Sequence, residues 1–465
     1  MKKLSFILCA AVVLTVVGNV AGLQKNSVAA LFDMYGLDAD SASAMKIAGY
    51  ALALYNSGDF AGAVEAGRRA LDGIEAVYGM NSPYYTSELS NLAYYEYSMG
   101  DTTGAVDKLE KVLSIYDRNI GKDNELYADI SFVIALLKAK SGNFKEALKH
   151  NCDARSFYKK RCDADSVRIY HTILNNTFLW ELKAGDYYSA IETGKELLQA
   201  DGTIEDANRL MVYAMMSQAL CMAGDYEQSL IYNKDALDIY ELLNYCDFHI
   251  YSGLLYGRAS CCLMAGDYPI ARECFYKRLD FLKKNGDPYY YAEALADAAL
   301  FNLSFGNFPE AVKLGEEALA VGGENKVFNG ISPYSIIASA EASLGNYGRA
   351  LELENKACHA IAESKGRIDA DYLACFIRVA YLYACKGDMD DARAALWKAS
   401  RMIDDVSIIN KDASSVILND LAMCYFQLGY YEEANALSVK NYGIVKEIYG
   451  EDSRMCINAM SLLAV

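Results

Sequence analysis

"MAGDYEQSLIYN" at 222–233 and "MAGDYPIARECF" at 264–275 are two copies of one pattern, a glycine followed by an acid and an aromatic between apolar helical segments. Seen twice, it suits either a ligand-binding loop or a corner that the chain has to turn. The theme occurs ten times, at Gly58, Gly100, Gly142, Gly185, Gly224, Gly266, Gly306, Gly345, Gly387 and Gly429, with successive gaps of 42, 42, 43, 39, 42, 40, 39, 42 and 42 residues. Self-similarity at a period of this length marks a tandem array of supersecondary units. Ten equivalent copies assign the pattern to packing rather than to a site.

Alignment on the glycine shows what each position does. The next residue is Asp or Asn in nine copies, Tyr430 being the exception, and the one after is aromatic in eight, Thr102 and Met389 departing. Five residues after the glycine every copy is small: Ala63, Ala105, Ala147, Ala190, Ser229, Ala271, Ala311, Ala350, Ala392 and Ala434. Seven residues before it the restriction returns in nine copies, from Ala51 and Ala93 to Ala422, with Phe178 breaking it. Small residues on both sides of a corner are what two antiparallel helices need where their backbones come close. The glycine then ends the first helix in a left-handed conformation. The Asp or Asn accepts hydrogen bonds from the free N–H groups that open the second helix. "NFKE" and "NFPE" read as capping boxes on Asn143 and Asn307, and Pro269 and Pro309 fall in the first turn of that helix.

These residues resemble the tetratricopeptide repeat family, whose paired helices carry a small residue in the first helix, a Gly and an aromatic at the corner, and alanine at two places in the second. The second of those alanines is matched by Ala70, Ala154, Ala236, Ala318, Ala357 and Ala399. The usual period of the family is about 34, so both helices are expected to run about a turn longer here. The linkers "VYGMNSPYYTSELSNLAYY" and "IYGEDSRMCINAMSLLAV" are similar to those of kinesin light chains and bacterial arrays. The resemblance implies an all-α, right-handed α-α superhelical solenoid of tandem helical hairpins.

The expected order is a signal peptide at 1–22, a degenerate half repeat at 23–42 ("VAALFDMYG" matching the end of a second helix), ten repeats over 43–450, and the first helix of an eleventh at 451–465. "MKKLSFILCAAVVLTVVGNVAG" has the two-lysine start, apolar run and small residues of a secretory leader, too short for a comfortable membrane span. The expectation is an exported protein, periplasmic or secreted, with no stable membrane insertion after cleavage. Terminal repeats normally show a polar outer face, so "MSLLAV" is expected either to be covered or to continue into a longer parent.

Loss of Lys2 and Lys3 moves the formal charge from -17 to 42 − 61 = −19. A chain this acidic is repelled by phosphate backbones, which argues against nucleic acid and for basic or neutral protein or peptide partners. The twelve cysteines beyond the leader show no CxxC pair; they read as small buried hydrophobes, with Cys152 and Cys162 the first pair to consider for a bridge. His150, His171, His249 and His359 are widely separated and form no metal pair on one helix face. "SAMK" at 43–46 lacks the partner motifs of a serine enzyme, and no GxGxxG after a strand, GxxxxGK[ST] or GxSxG occurs. No cofactor and no catalysis are expected.

Recognition is the better-supported function class. The resemblance implies a concave groove lined mainly by first helices, faced by side chains ten and six residues before each corner glycine. Those rungs read Ser90 and Tyr94, Phe132 and Leu136, Asn175 and Leu179, Tyr256 and Ser260, Ile377 and Tyr381, Asn419 and Met423. The lysine that family members use to grip a C-terminal carboxylate is absent from them. Candidate peptide-binding residues are Asn91, Tyr94, Asn175, Asn176, Tyr256, Arg378, Tyr381 and Asn419: asparagines to hydrogen-bond a peptide backbone, tyrosines to supply amphipathic contact area. The alternative is a sensory or docking region of a larger histidine-kinase or caspase-like system.

Overall fold

The structure is a computed structural model that describes residues 39–200, 206–243, 247–367, 369–409 and 411–449. The signal peptide, most of the degenerate half repeat and the eleventh first helix lie outside the described residues.

The chain forms two compact units, Met1–Leu243 and Asn244–Val465. Each holds five helical hairpins among its described residues. In the first they are Ala39–Asn56 with Phe60–Tyr78, Pro83–Ser98 with Thr102–Asn119, Glu125–Lys140 with Phe144–Tyr158, Ala164–Ala184 with Tyr187–Ala200, and Asp206–Ala223 with Tyr226–Leu242. In the second they are Phe248–Ala265 with Tyr268–Asn285, Pro288–Ser304 with Phe308–Gly322, Pro333–Ser343 with Tyr347–Lys365, Ala370–Lys386 with Met389–Ile409, and Lys411–Gln427 with Tyr431–Tyr449. Each hairpin packs on the next in chain order within its unit, so each unit is an all-α helical-repeat solenoid.

The two small columns meet where the helices of a hairpin cross. Ala135 with Ala147, Ala259 with Ala271 and Ala299 with Ala311 are all 0% exposed. In the copy that carries serines, Ser229 Oγ donates to the Ser217 carbonyl at 2.7 Å, which satisfies a hydroxyl at a buried crossing. Phe178, the exception, is buried with Trp180, Met216 and Leu174 in the core of the first unit.

All ten corner glycines have positive φ, from +74° at Gly306 to +97° at Gly387. The N–H of the following residue returns to the carbonyl four residues before the glycine, as in Asp225 N to Leu220 O at 2.9 Å, closing the first helix. Asp59, Asp101, Asn143, Asp225 and Asp267 then cap the second helix through their side chains. The capping expected at Asn307 is not formed, and Asn346 departs in the same way. Their amides donate instead to Asn302 Oδ1 at 3.0 Å and to Glu341 Oε2 at 2.7 Å. An asparagine can turn its N–H₂ toward a buried acceptor, whereas a carboxylate can only accept.

At Gly224, φ +90°, a β-carbon would meet nothing within 4 Å, so any cost of substitution is conformational. Gly224→Val is expected to destabilise the first unit by roughly 1–2 kcal/mol in urea unfolding. Gly224→Asn should cost less, because asparagine tolerates the left-handed region. Equal losses for both would point to something other than backbone strain.

A further column runs fifteen residues before the corner. There, tyrosine hydroxyls reach residues eleven after the corner on the partner helix of the same hairpin: Tyr127 donates to Asp153, Tyr170 to Glu196 and Tyr291 to Glu317, while Tyr85 accepts from Lys111, at 2.5–3.2 Å. This clasp, in which the ring packs and the hydroxyl stays paired, accounts for four of the chain's 37 tyrosines.

Candidate recognition face

The expected rungs divide once the neighbouring repeats are in place. Phe132, Leu136 and Ile377 are 1%, 7% and 5% exposed and belong to the core rather than to an open face. A first helix inside an array is covered by its own partner and by the adjacent repeats, so an apolar rung is drawn inward.

In the first unit, Asn175 is exposed, while Asn176 is half-buried and donates to the Thr172 carbonyl of its own helix at 3.0 Å. Tyr94 is half-buried; its ring lies 4.9 Å from that of Tyr55, which also stacks on Tyr95 at 5.3 Å. Burial and the Tyr55 hydroxyl push the Tyr94 phenol up, so it stays neutral. Asn91 donates to Glu88 Oε2 at 3.1 Å. Glu88 is 3% exposed, and its Oε1 has no hydrogen-bond partner among the described residues. Burial pushes Glu88 up to about 7, against the opposing effect of the Asn91 hydrogen bond. Asn91 thus stands between the face and a buried acid.

Among the rung positions of the second unit, Tyr256, Tyr381 and Met423 are exposed, by 40%, 44% and 38%. Asn419 is half-buried on the same helix as Met423. The Tyr256 ring lies 5.1 Å from the guanidinium of Arg278. Arg278 is buried, bonded to Ser252 Oγ at 2.9 Å, Asp297 at 2.5 Å and Glu293 at 3.4 Å, and so supports the tyrosine from beneath. Arg378, placed among the candidate groove residues by the sequence, spends its guanidinium on buried groups: Nε donates to Glu354 Oε1 at 2.7 Å and Nη2 to Ser335 Oγ at 3.2 Å. Glu354 is 0% exposed. Arg378 is therefore an internal counter-ion first, with its outer part at the surface.

Sequence reasoning passed over both Arg278 and Glu354, although the alignment marks them. Arg278 stands twelve residues after Gly266, the place held by Ala70, Ala154, Ala236, Ala318, Ala357 and Ala399 in other copies. Glu354 stands nine after Gly345, where other copies carry Gly67, Gly194, Gly315 or Leu396. Each is the only charged residue in its column of ten copies, and that is the signal.

Among the described residues no group of three or more His, Cys, Asp or Glu side chains is arranged to hold a metal ion, and no helix is long and apolar enough to cross a membrane. Cys221, Cys261, Cys262, Cys274, Cys358, Cys375 and Cys424 are buried thiols, while Cys152 and Cys162 are exposed and unbridged.

Residues 85–160 match the family model described as tetratricopeptide repeat, and residues 256–336 match one described as anaphase-promoting complex subunit 5. No curated protein matches the chain. Among solved structures, a tetratricopeptide repeat protein from Parabacteroides merdae is 16% identical, with 64% of this chain and 98% of that chain covered at a TM-score of 0.42. A Rap protein complexed with competence and sporulation factor is 16% identical over 78% of this chain and 98% of that one, TM-score 0.43. A Pyrococcus horikoshii signal transduction ATPase with a tetratricopeptide repeat sensor is 15% identical over 83% of this chain and 53% of that one, TM-score 0.43. The small-residue crossings, the glycine corners and the family match over 85–160 make this protein an all-α array of tetratricopeptide-like repeats, a scaffold suited to protein–protein interaction.

Proposed function

We propose that the protein is an exported, non-catalytic scaffold that holds an extended, basic or neutral protein segment against the first-helix face of its repeats. The observation that carries this reading is the exposure of Tyr256, Tyr381 and Met423 at rung positions, beside half-buried Ser260, buried Ile377 and half-buried Asn419. Aromatic side chains held from below give contact area at low entropic cost, and such anchors dominate binding energies. The acidic balance of the chain favours a partner of the opposite sign. The leader-like residues 1–22 support export. The same face would serve a docking region of a signalling or protease-linked system.

Selection of peptides from a displayed random library against the full chain tests the reading. Enriched peptides should bind Tyr256→Ala or Tyr381→Ala about tenfold more weakly, about 1.4 kcal/mol each. Equal affinity for wild type and a variant carrying both substitutions would sink it.

A further inference from the structure

Cys358 lies on Tyr347–Lys365, the second helix of one repeat, and Cys375 on Ala370–Lys386, the first helix of the next. The two are 17 residues apart in sequence, both are buried, and their Sγ atoms stand 2.9 Å apart. Packed heavy atoms that share no bond settle at about 3.5–4 Å, while a disulfide measures about 2.05 Å. The pair sits between the two. Its surroundings are polar: Cys375 Sγ is 3.1 Å from Glu354 Oε1, the oxygen that also accepts from Arg378 and from Ser335 at 3.1 Å. The other Glu354 oxygen is buried without a hydrogen-bond partner. A thiol donor on this carboxylate is part of what keeps the reduced state satisfied.

We propose that Cys358 and Cys375 are a reversible redox pair whose disulfide staples one repeat to the next. The co-reactant is a low-molecular-weight disulfide, RSSR. Cys358, 8% exposed against 0% for Cys375, meets it first. The Cys358 thiolate attacks one sulfur, releasing RS⁻ and leaving a mixed disulfide. Cys375 then attacks Cys358 Sγ, displacing the second RS⁻ and giving up its own proton. The two protein thiols are oxidised, RSSR is reduced to two RSH, and no other electron carrier is needed. The contact with the Cys358 sulfur, burial and the Glu354 carboxylate all push the Cys375 thiol up, in keeping with its complete burial and its place as the resolving partner. The bond closes a loop across an inter-repeat interface, holding the angle between two neighbouring hairpins of the second unit.

The test equilibrates the full-length native chain with oxidised glutathione, blocks remaining thiols by alkylation, and maps each cysteine by peptide mass. A cross-linked pair of peptides carrying Cys358 and Cys375, released by dithiothreitol, is expected. Cys375→Ala should stop at a glutathione adduct on Cys358. The oxidised wild type should unfold several degrees higher than the reduced protein, a difference absent from Cys358→Ala. Complete alkylation of both residues after oxidation, or a bridge from Cys358 to another cysteine, would overturn the proposal. So would an equal rise in unfolding temperature in Cys358→Ala.

Discussion

Arg278→Met should destabilise the second unit by about 3–5 kcal/mol at neutral pH, the usual cost of leaving a buried charge without its counter-ion. The arginine side chain is 6% exposed and faces Asp297 and Glu293, 14% and 19% exposed. Its bonds join three helices, since Ser252 is on Phe248–Ala265, Arg278 on Tyr268–Asn285 and both acids on Pro288–Ser304. Burial already pushes Asp297 up to about 6 with Arg278 in place and opposing it. Without the arginine Asp297 is driven further toward the protonated form, so the penalty should shrink as pH falls toward 5. A second substitution, Asp297→Leu, should restore much of the loss by removing the stranded carboxylate. Urea denaturation at pH 5 and pH 7.5 measures all three proteins. A single variant within 1 kcal/mol of wild type at pH 7.5 would mean that the network contributes little. Because Arg278 underlies Tyr256, the same variant should also weaken peptide binding at temperatures where it remains folded.

The first unit should lose stability as pH rises from about 4.5 to about 7, the reverse of ordinary acid denaturation. Burial holds both Glu88 and Glu181 at about 7, Glu181 despite its Thr193 hydrogen bond and the nearby Arg155 charge. The sign follows from proton binding: between the ordinary carboxyl value of 4.5 and about 7 the folded state keeps protons that the unfolded chain has released. Folding is therefore favoured at the acid end of this window, and the advantage is gone above it. Glu88 is worth on the order of 3 kcal/mol across the window, and Glu181, the less deeply buried of the two, less. Glu196 works the other way. Burial alone would raise it, but hydrogen bonds from Lys159, Tyr170 and Arg155 hold it at about 2, so its contribution is lost as pH falls from 4.5 toward 2. Stability of this unit should peak near pH 4–5. Glu88→Gln with Glu181→Gln should flatten the upper limb, which separates these groups from the general self-repulsion of an acidic chain. A wild type equally stable at pH 5 and pH 8 would refute the assignment.

Much of the hairpin could be read from spacing, because glycine corners and small crossings are demanded by the backbone and recur whatever surrounds them. Asn307 and Asn346 escaped that reading because their side chains answer to Asn302 and Glu341 on the preceding helix. The recognition face was legible only in part. Rung positions fix a direction relative to one hairpin, but Phe132 and Ile377 are covered by neighbouring repeats, and Tyr94 is drawn onto Tyr55. Tyr256 and Tyr381 remain open. Arg278, Glu354 and the Cys358–Cys375 pair act across elements, and no one-dimensional pattern states which element lies opposite.

The tyrosine clasps have a kinetic meaning. Each joins residues only 26 apart, inside one repeat, so a hairpin gains its fastening without waiting for distant chain to arrive. Helical proteins dominated by such short-range closures fold quickly, and in a stack of repeats order can start at any unit and spread outward. Tyr85, Tyr127 and Tyr170 lie in three consecutive hairpins, and this is where the first unit is best equipped to nucleate.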